Sequence, residues 1–194
     1  DEGMWLPLLL GQQVYDDIVK RGLKLTKEQL YSINKASIKD AIVIFGSGCT
    51  GEMVSSEGLV FTNHHCGYDA IASASSLQNN YLHDGFWARS KSMEIPAKGL
   101  SVQFLFRMED VTGQLDSALG ALRGIERAKK QSELIAEINR KYSDSTKNIE
   151  ARVSPLFKGN QFLVFVYQRY TDLLLLAAPP ERIRKFGGDK DNWE

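Results

Sequence analysis

Residues 49–66 read CTGEMVSSEGLVFTNHHC, a stretch that begins and ends on the chain's only two cysteines and closes on an Asn-His-His-Cys cluster. The apolar runs at 41–45 and 59–62 are rich in β-branched and aromatic residues, which suit strands. Ser55, Ser56 and Gly58 supply turn chemistry between them, so a hairpin is predicted here. A hairpin brings its ends together, which leaves a Cys49–Cys66 bond open as one outcome.

Three chemistries compete for the cluster. The first is zinc held by Cys49, His64, His65 and Cys66. Three of those four are consecutive, and neighbours on an extended chain point to opposite faces, which disfavours a tetrahedral site. The second is Cys66 as a nucleophile with a histidine base. Adjacent residues rarely make the side-chain hydrogen bond that such a pair requires, and the remaining histidine, His83 in NYLHDG, shows no second half of such a site. The third, and preferred, is a histidine base beside a structural disulfide, because a cross-link at the next residue fixes the backbone of an imidazole that must be held rigidly. The plain alternative is that His64 and His65 are hydrogen-bonded structural residues.

Around this stretch the composition is that of an ordinary globule. The 194 residues suffice for one core, with 43% hydrophobic and 25% charged content. Lys plus Arg and Asp plus Glu number 24 each, so charge makes no case for nucleic acid or a membrane surface. No apolar run reaches the length of a membrane span.

Toward the N-terminus, Leu9, Val14, Ile18 and Val19 have loose helical spacing ended by Gly22, and Thr26 to Gln29 reads as an N-cap opening a short helix through Leu30 and Tyr31. These segments are expected to pack as a covering arm with their apolar stripes inward. On the other side, 69–76 is expected to form a short helix, and Phe86 and Trp87 to anchor a loop by packing. A strand follows over 100–108, with Val102, Phe104 and Phe106 on one face. From 112 to 142, Leu115, Leu119, Leu122, Ile125, Leu134, Ile135 and Ile138 mark a helical pattern that Gly120 and Gly124 divide. Strands are predicted over 162–167, buried on both faces, and over 172–177, before Pro179-Pro180 ends the pairing.

Thr62 to Cys66, a Thr-X-X-His-Cys ending, resembles the histidine segment of the chymotrypsin-like serine peptidases, in which the cysteine pairs with one just upstream. The wider string GCTGEMVSSEGLVFTNHHCGYDAI resembles a narrower group, the bacterial dipeptidyl-peptidase 7 and dipeptidyl-peptidase 11 family. The resemblance extends over Asp1-Glu2-Gly3-Met4-Trp5, Asn80-Tyr81-Leu82, Asp84-Gly85-Phe86-Trp87, and Ala178-Pro179-Pro180 through Lys185-Phe186-Gly187-Gly188-Asp189 to Asp191-Asn192-Trp193.

That resemblance implies a mainly β fold with helical additions: the incomplete first barrel of a chymotrypsin-like double β-barrel, with N-terminal helices and a helical excursion around 112–142. Residues 1–194 would be the N-terminal part of the catalytic domain, without the second barrel and the inserted helical domain. It implies a disulfide between Cys49 and Cys66 and names His65 as the general base, with His64 pointing elsewhere. The family's Asp, in a His-Thr-Gly-Asp-Phe motif, would follow Trp193, and its Ser, in Gly-Gly-Asn-Ser-Gly-Ser, lies much farther on. Neither motif occurs here. Ser47, between Gly46 and Gly48, lacks the strand-to-helix setting of a nucleophile elbow, and Asp189 and Asp191 are weaker candidates for the acid.

Asn192 and Trp193 match the family's Asp-Asn-Trp motif, whose Asn and Trp help hold the substrate N-terminus. The chemistry agrees, because a free α-ammonium calls for an amide oxygen or an aromatic face. Without the resemblance, 189–193 reads as a calcium-like or solvated acidic loop. The chain departs from the family at Glu181, Arg182, Arg184 and Lys190, where small or neutral residues are common.

The implied activity is removal of dipeptides from oligopeptides with a free N-terminus by a Ser-His-Asp triad, without metal or organic cofactor, in a homodimer. Phe45-Gly46 and Leu30-Tyr31-Ser32 lean toward dipeptidyl-peptidase 7 and an apolar second substrate residue. The opening Asp-Glu-Gly-Met-Trp resembles the start of a mature exported protein. With the even cysteine pair, it implies a periplasmic or cell-surface location in a Gram-negative bacterium. A competing class is a non-catalytic module that captures peptide N-termini, and a third is a redox or zinc protein using Cys49 and Cys66.

Overall fold

The computed structural model describes Pro7, residues 10–33 and residues 35–184. Along the chain run α1 (Gln12–Lys20), α2 (Lys27–Leu30), β1 (Ile42–Phe45), β2 (Cys49–Met53), β3 (Val60–Thr62), α3 (His64–Ala74), α4 (Tyr81–Asp84), β4 (Phe86–Trp87), β5 (Ile95–Pro96) and β6 (Val102–Asp110). Then come α5 (Thr112–Leu119), α6 (Gly124–Tyr142), β7 (Ile149–Leu156), β8 (Gln161–Tyr170), β9 (Leu174–Leu175), β10 (Ala177–Ala178) and α7 (Glu181–Arg184). These elements divide into two compact units, one from 1–42 and 104–168, the other from 43–103 and 169–194.

In the first unit, helices α5 and α6 cover β7 and β8. Leu115 and Leu119, four residues apart on α5, meet Ile138 of α6 and Val153, Phe162, Val164 and Val166 of the strands in one cluster. Gly120 (φ +41°) ends α5 and Gly124 (φ +56°) opens α6, so the pattern divides where the sequence predicts. Strand β8 is buried at Phe162, Leu163, Val164 and Val166, which accounts for its unbroken apolar run. Strand β7 pairs with it antiparallel from Ile149 opposite Gln168 to Leu156 opposite Gln161. Two β7 amides are capped from α6 and its end: Val153 N–H donates to Asn139 Oδ1 at 2.8 Å, and Ala151 N–H to Ser143 Oγ at 2.9 Å.

The capping box is formed. Gln29 N–H donates to Thr26 Oγ1 at 3.1 Å and Thr26 N–H to Gln29 Oε1 at 2.8 Å. Tyr31, expected within α2, instead lies extended past its end and donates its hydroxyl to Met108 Sδ at 3.7 Å. The covering arm holds its apolar stripe only loosely, since α1 buries no residue and Val19 is exposed.

In the second unit the strands run in the order β3-β2-β1. The hairpin is that of β2 and β3, Gly51 to Met53 opposite Thr62 to Val60, while the run at 41–45 forms β1 beside β2. Ser55 Oγ closes the turn by accepting from Glu57 and Leu59 N–H at 3.2 and 3.1 Å. Farther on, β4 pairs with β10 and β5 with β9.

The fold is therefore mixed α/β, built on antiparallel sheet and several helices, rather than mainly β: α3 and α6 alone span 11 and 19 residues. No closed barrel exists among the described residues, because β4, β5, β9 and β10 pair in separate two-residue ladders instead of extending an existing sheet. Two local expectations also change. Trp87 is 64% exposed rather than packed, while Phe86 packs its ring 4.9 Å from that of Tyr81. On β6 the expected apolar face is buried at Val102 and Met108 but open at Phe106.

Gly85 sits at φ +77°, and a Cβ there would lie 2.8 Å from Pro180 N and 2.9 Å from the Ala178 carbonyl oxygen. Gly85→Ala is therefore expected to lower the unfolding free energy by about 2 kcal/mol or more. Gly113→Ala, on α5 with nothing within 4 Å, should be neutral or stabilising. Equal losses in chemical denaturation would refute this contrast. Hydrogen bonds from Thr112 and Gln161 hold the Asp110 carboxyl below its ordinary value. Its stabilisation is thus present above an unfolded pKa of about 3.9 and is lost as pH falls through the lower folded value. Asp110→Asn should flatten the acid limb of a stability–pH profile and leave its alkaline limb unchanged.

Candidate active site

Strand β3 ends on Thr62, whose hydroxyl donates to the Thr50 carbonyl oxygen at 2.8 Å and fastens it to β2. Asn63, extended at φ −67° and ψ 145°, turns the chain, and α3 begins at His64. Cys66 N–H donates to the Asn63 carbonyl oxygen at 3.0 Å and closes the first turn. The expected helix at 69–76 thus starts five residues early, and the two histidines lie on a helix rather than on an extended strand. Asn63 is a favoured residue type for this position, yet its side chain makes no capping bond, so the signal was weak.

The helical start separates the histidines by about 100° of rotation. His64 is half-buried, with its ring 6.1 Å from that of Tyr68, one turn on, in an edge-to-face arrangement. His65 is exposed. Cys49, at the start of β2, and Cys66 form a disulfide across 17 positions of sequence, with Cα atoms 6.1 Å apart. A ligating nitrogen of His65 and the two sulfurs all lie within 4.8 Å of one another. The bond consumes both thiols, so the oxidised chain offers neither a zinc thiolate pair nor a Cys66 nucleophile.

From this corner the chain can be followed through α4 and β4 to β10 and α7. Ser75 Oγ donates to the Ile71 carbonyl oxygen at 2.8 Å and accepts from Tyr81 N–H at 3.1 Å, joining the end of α3 to α4. Past Gly85, β4 aligns Phe86 opposite Ala178 and Trp87 opposite Ala177. The segment after β10 then enters α7, which carries Glu181 and Arg182. Asn192 and Trp193 lie outside the described residues, as do Asp189, Lys190 and Asp191.

Ser47 lies in the turn from β1 to β2, between Gly46 at φ +60° and Gly48 at φ +156°, a strand-to-strand connection unlike a nucleophile elbow. His83 has a partner that the sequence reading did not anticipate, its Nδ1 being 2.7 Å from Asp84 Oδ1 on the surface of α4. The Thr62–Thr50 and Ser75–Tyr81 bonds were also missed. Nothing in local sequence distinguishes these hydroxyls from solvated ones.

The model of the peptidase S46 family matches residues 1–194. The chain belongs to that family. It is 44% identical to dipeptidyl-peptidase 7 of Capnocytophaga gingivalis, covering 100% of this chain and 27% of the relative. It is 43% identical to the Asp/Glu-specific dipeptidyl-peptidase of Porphyromonas gingivalis, with 100% and 28% covered. Among solved structures it resembles Porphyromonas endodontalis DPP11 in complex with the dipeptide Arg-Glu, at TM-score 0.81 and 38% identity over 100% of this chain and 29% of that one. The chain thus spans about a quarter of the length of these S46 relatives. No described helix is long and apolar enough to cross a membrane.

For this S46 chain, removing the cross-link with Cys49→Ala and Cys66→Ala together is expected to cost about 3 kcal/mol of unfolding free energy. Denaturant titrations of the variant and of reduced wild type should agree. A variant as stable as the oxidised wild type would show that the disulfide does not hold this corner.

Proposed function

We propose that the whole protein is a serine dipeptidyl-peptidase and that residues 1–194 are the N-terminal part of its catalytic domain, supplying the general base. The observation that carries this reading is His65 itself: an exposed imidazole on the first turn of α3, next to a disulfide-held residue, in a chain of the S46 family.

In this mechanism a serine beyond residue 194 attacks the carbonyl after the second substrate residue, and His65 takes its proton. The protonated imidazole then returns that proton to the leaving amine. A water activated by the same histidine hydrolyses the acyl-enzyme and frees the dipeptide. An aspartate, also beyond residue 194, orients the ring. Asn192 accepts from the α-ammonium of the substrate and Trp193 lies against it, which sets the distance to the scissile bond at two residues.

We extend the proposal to an apolar preference at the second substrate position, a homodimeric enzyme and a periplasmic or surface location. The disulfide supports the location, because such bonds persist in oxidising compartments. For specificity, identities of 44% and 43% to the two kinds of relative do not discriminate. Of the residues behind the apolar lean, Phe45 is buried in the core and Tyr31 bonds Met108, so both have structural work of their own.

The test is dipeptide release by the full-length protein from dipeptidyl-naphthylamides with apolar or acidic second residues. His65→Ala should lower kcat by about a thousandfold or more, and Asn192→Ala should mainly raise KM. Apolar substrates should be preferred. Full activity in His65→Ala would refute the assignment of the base. An inactive wild type that still binds peptides through Asn192 and Trp193 would establish a binding module instead.

A further inference from the structure

The corner that holds His65 gathers three potential metal-ligand atoms, two of them tied up in the disulfide. We propose that the reduced Cys49 and Cys66 thiolates join His65 as a three-ligand site for a thiophilic divalent cation of the zinc type, withdrawing the imidazole from catalysis. The loss of activity, though not the metal binding, rests on the function proposed above.

The donor atoms are already gathered. The two sulfurs and a nitrogen of His65 lie within 4.8 Å of one another. Zinc takes sulfur at about 2.3 Å and nitrogen at about 2.0 Å, so a tetrahedral site spaces such atoms about 3.5–3.8 Å apart. Side-chain rotation covers that difference once the S–S bond is broken.

The backbone positions of the three residues do not depend on the cross-link alone. Cys49 opens β2, which is registered with β3 and fastened to it by the Thr62–Thr50 hydrogen bond. His65 and Cys66 occupy the first turn of an 11-residue helix, where an anion such as a thiolate is favoured. Two thiolates and an imidazole form a soft donor set that selects zinc-like ions over magnesium or calcium. Because His65 is exposed, the fourth position stays open to water.

The chemistry balances with a dithiol as reductant. The Cys49–Cys66 bond takes up two electrons and two protons, and the dithiol becomes a disulfide. The cation then displaces the thiol protons. Reoxidation reverses both steps and releases the metal.

The full-length protein, reduced with a dithiol and freed of it anaerobically, is titrated with cobalt(II) and followed by sulfur-to-cobalt charge-transfer absorption, with zinc(II) as competitor. Circular dichroism monitors the fold in parallel. One equivalent is expected to bind the folded, reduced protein and none the oxidised protein. Cys49→Ser with Cys66→Ser should abolish binding, and His65→Ala should weaken it about tenfold or more. Uptake that survives thiol alkylation, absence of uptake by the folded reduced protein, or unfolding on reduction would each overturn the proposal. If cobalt binds as expected but the loaded enzyme keeps full peptidase activity, the metal site stands and His65 is not the base.

Discussion

The covalent tie between β2 and the first turn of α3 is the constraint on which the site depends. Beside it, α3 buries Ile71, worth about 2 kcal/mol, and is tied to α4 through Ser75, while the Thr62–Thr50 bond adds about 1 kcal/mol between the strands. The cross-link contributes about 3 kcal/mol, more than either of these alone. It acts at the residue after His65, so it restrains the backbone that aims the imidazole. The general base proposed for His65 would have to meet a hydroxyl within a few tenths of an ångström, and restraint at that point serves it most. The same tie keeps two sulfurs beside the ring.

The second unit also ties this corner to the segment that ends at Pro180. Ser75 links α3 to α4, Gly85 lets the chain pass close to Pro180, and the β4–β10 pair aligns Phe86 and Trp87 with Ala178 and Ala177. The histidine helix and residues 177–180 are thus bound into one unit by bonds and close approaches. The first unit is a different kind of object, a core of α5 and α6 against β7 and β8 in which Leu115, Leu119, Phe162 and Val164 are nearly inaccessible to water. Its buried residues do packing work.

What could be read in the sequence was local. The break between α5 and α6 was legible because glycine at 120 and 124 adopts backbone angles that other residues avoid, and the Thr26–Gln29 capping box because both partners lie within one turn. Strand β7 went unread. Its Ile149, Ala151 and Val153 alternate with polar residues over a short span, and Pro155 argues against a strand unless the strand is an edge. The β7–β8 turn was equally hidden, since it places Phe157 and Lys158 at positive φ, where bulky residues are uncommon. The early start of α3 was missed because Asn63 ends the strand by backbone geometry without a side-chain bond. The closed barrel failed for a reason of pairing: the late apolar strands found partners in 86–96 rather than in an existing sheet. At the site, His65 and the cysteine pair stood out through their motif, and the preference for His65 over His64 rests on the resemblance, which takes the histidine immediately before the cysteine; the helical turn adds only that the two rings point in different directions.

The central claim is that His65 activates a serine lying outside residues 1–194. It is tested most directly by labelling the full-length protein with a dipeptidyl phosphonate and mapping the modified residue. The account predicts a single labelled serine beyond residue 194, modified about a hundredfold or more slowly in His65→Ala than in wild type. Label on Ser47 or any other serine of this chain, or an unchanged labelling rate without His65, would contradict it.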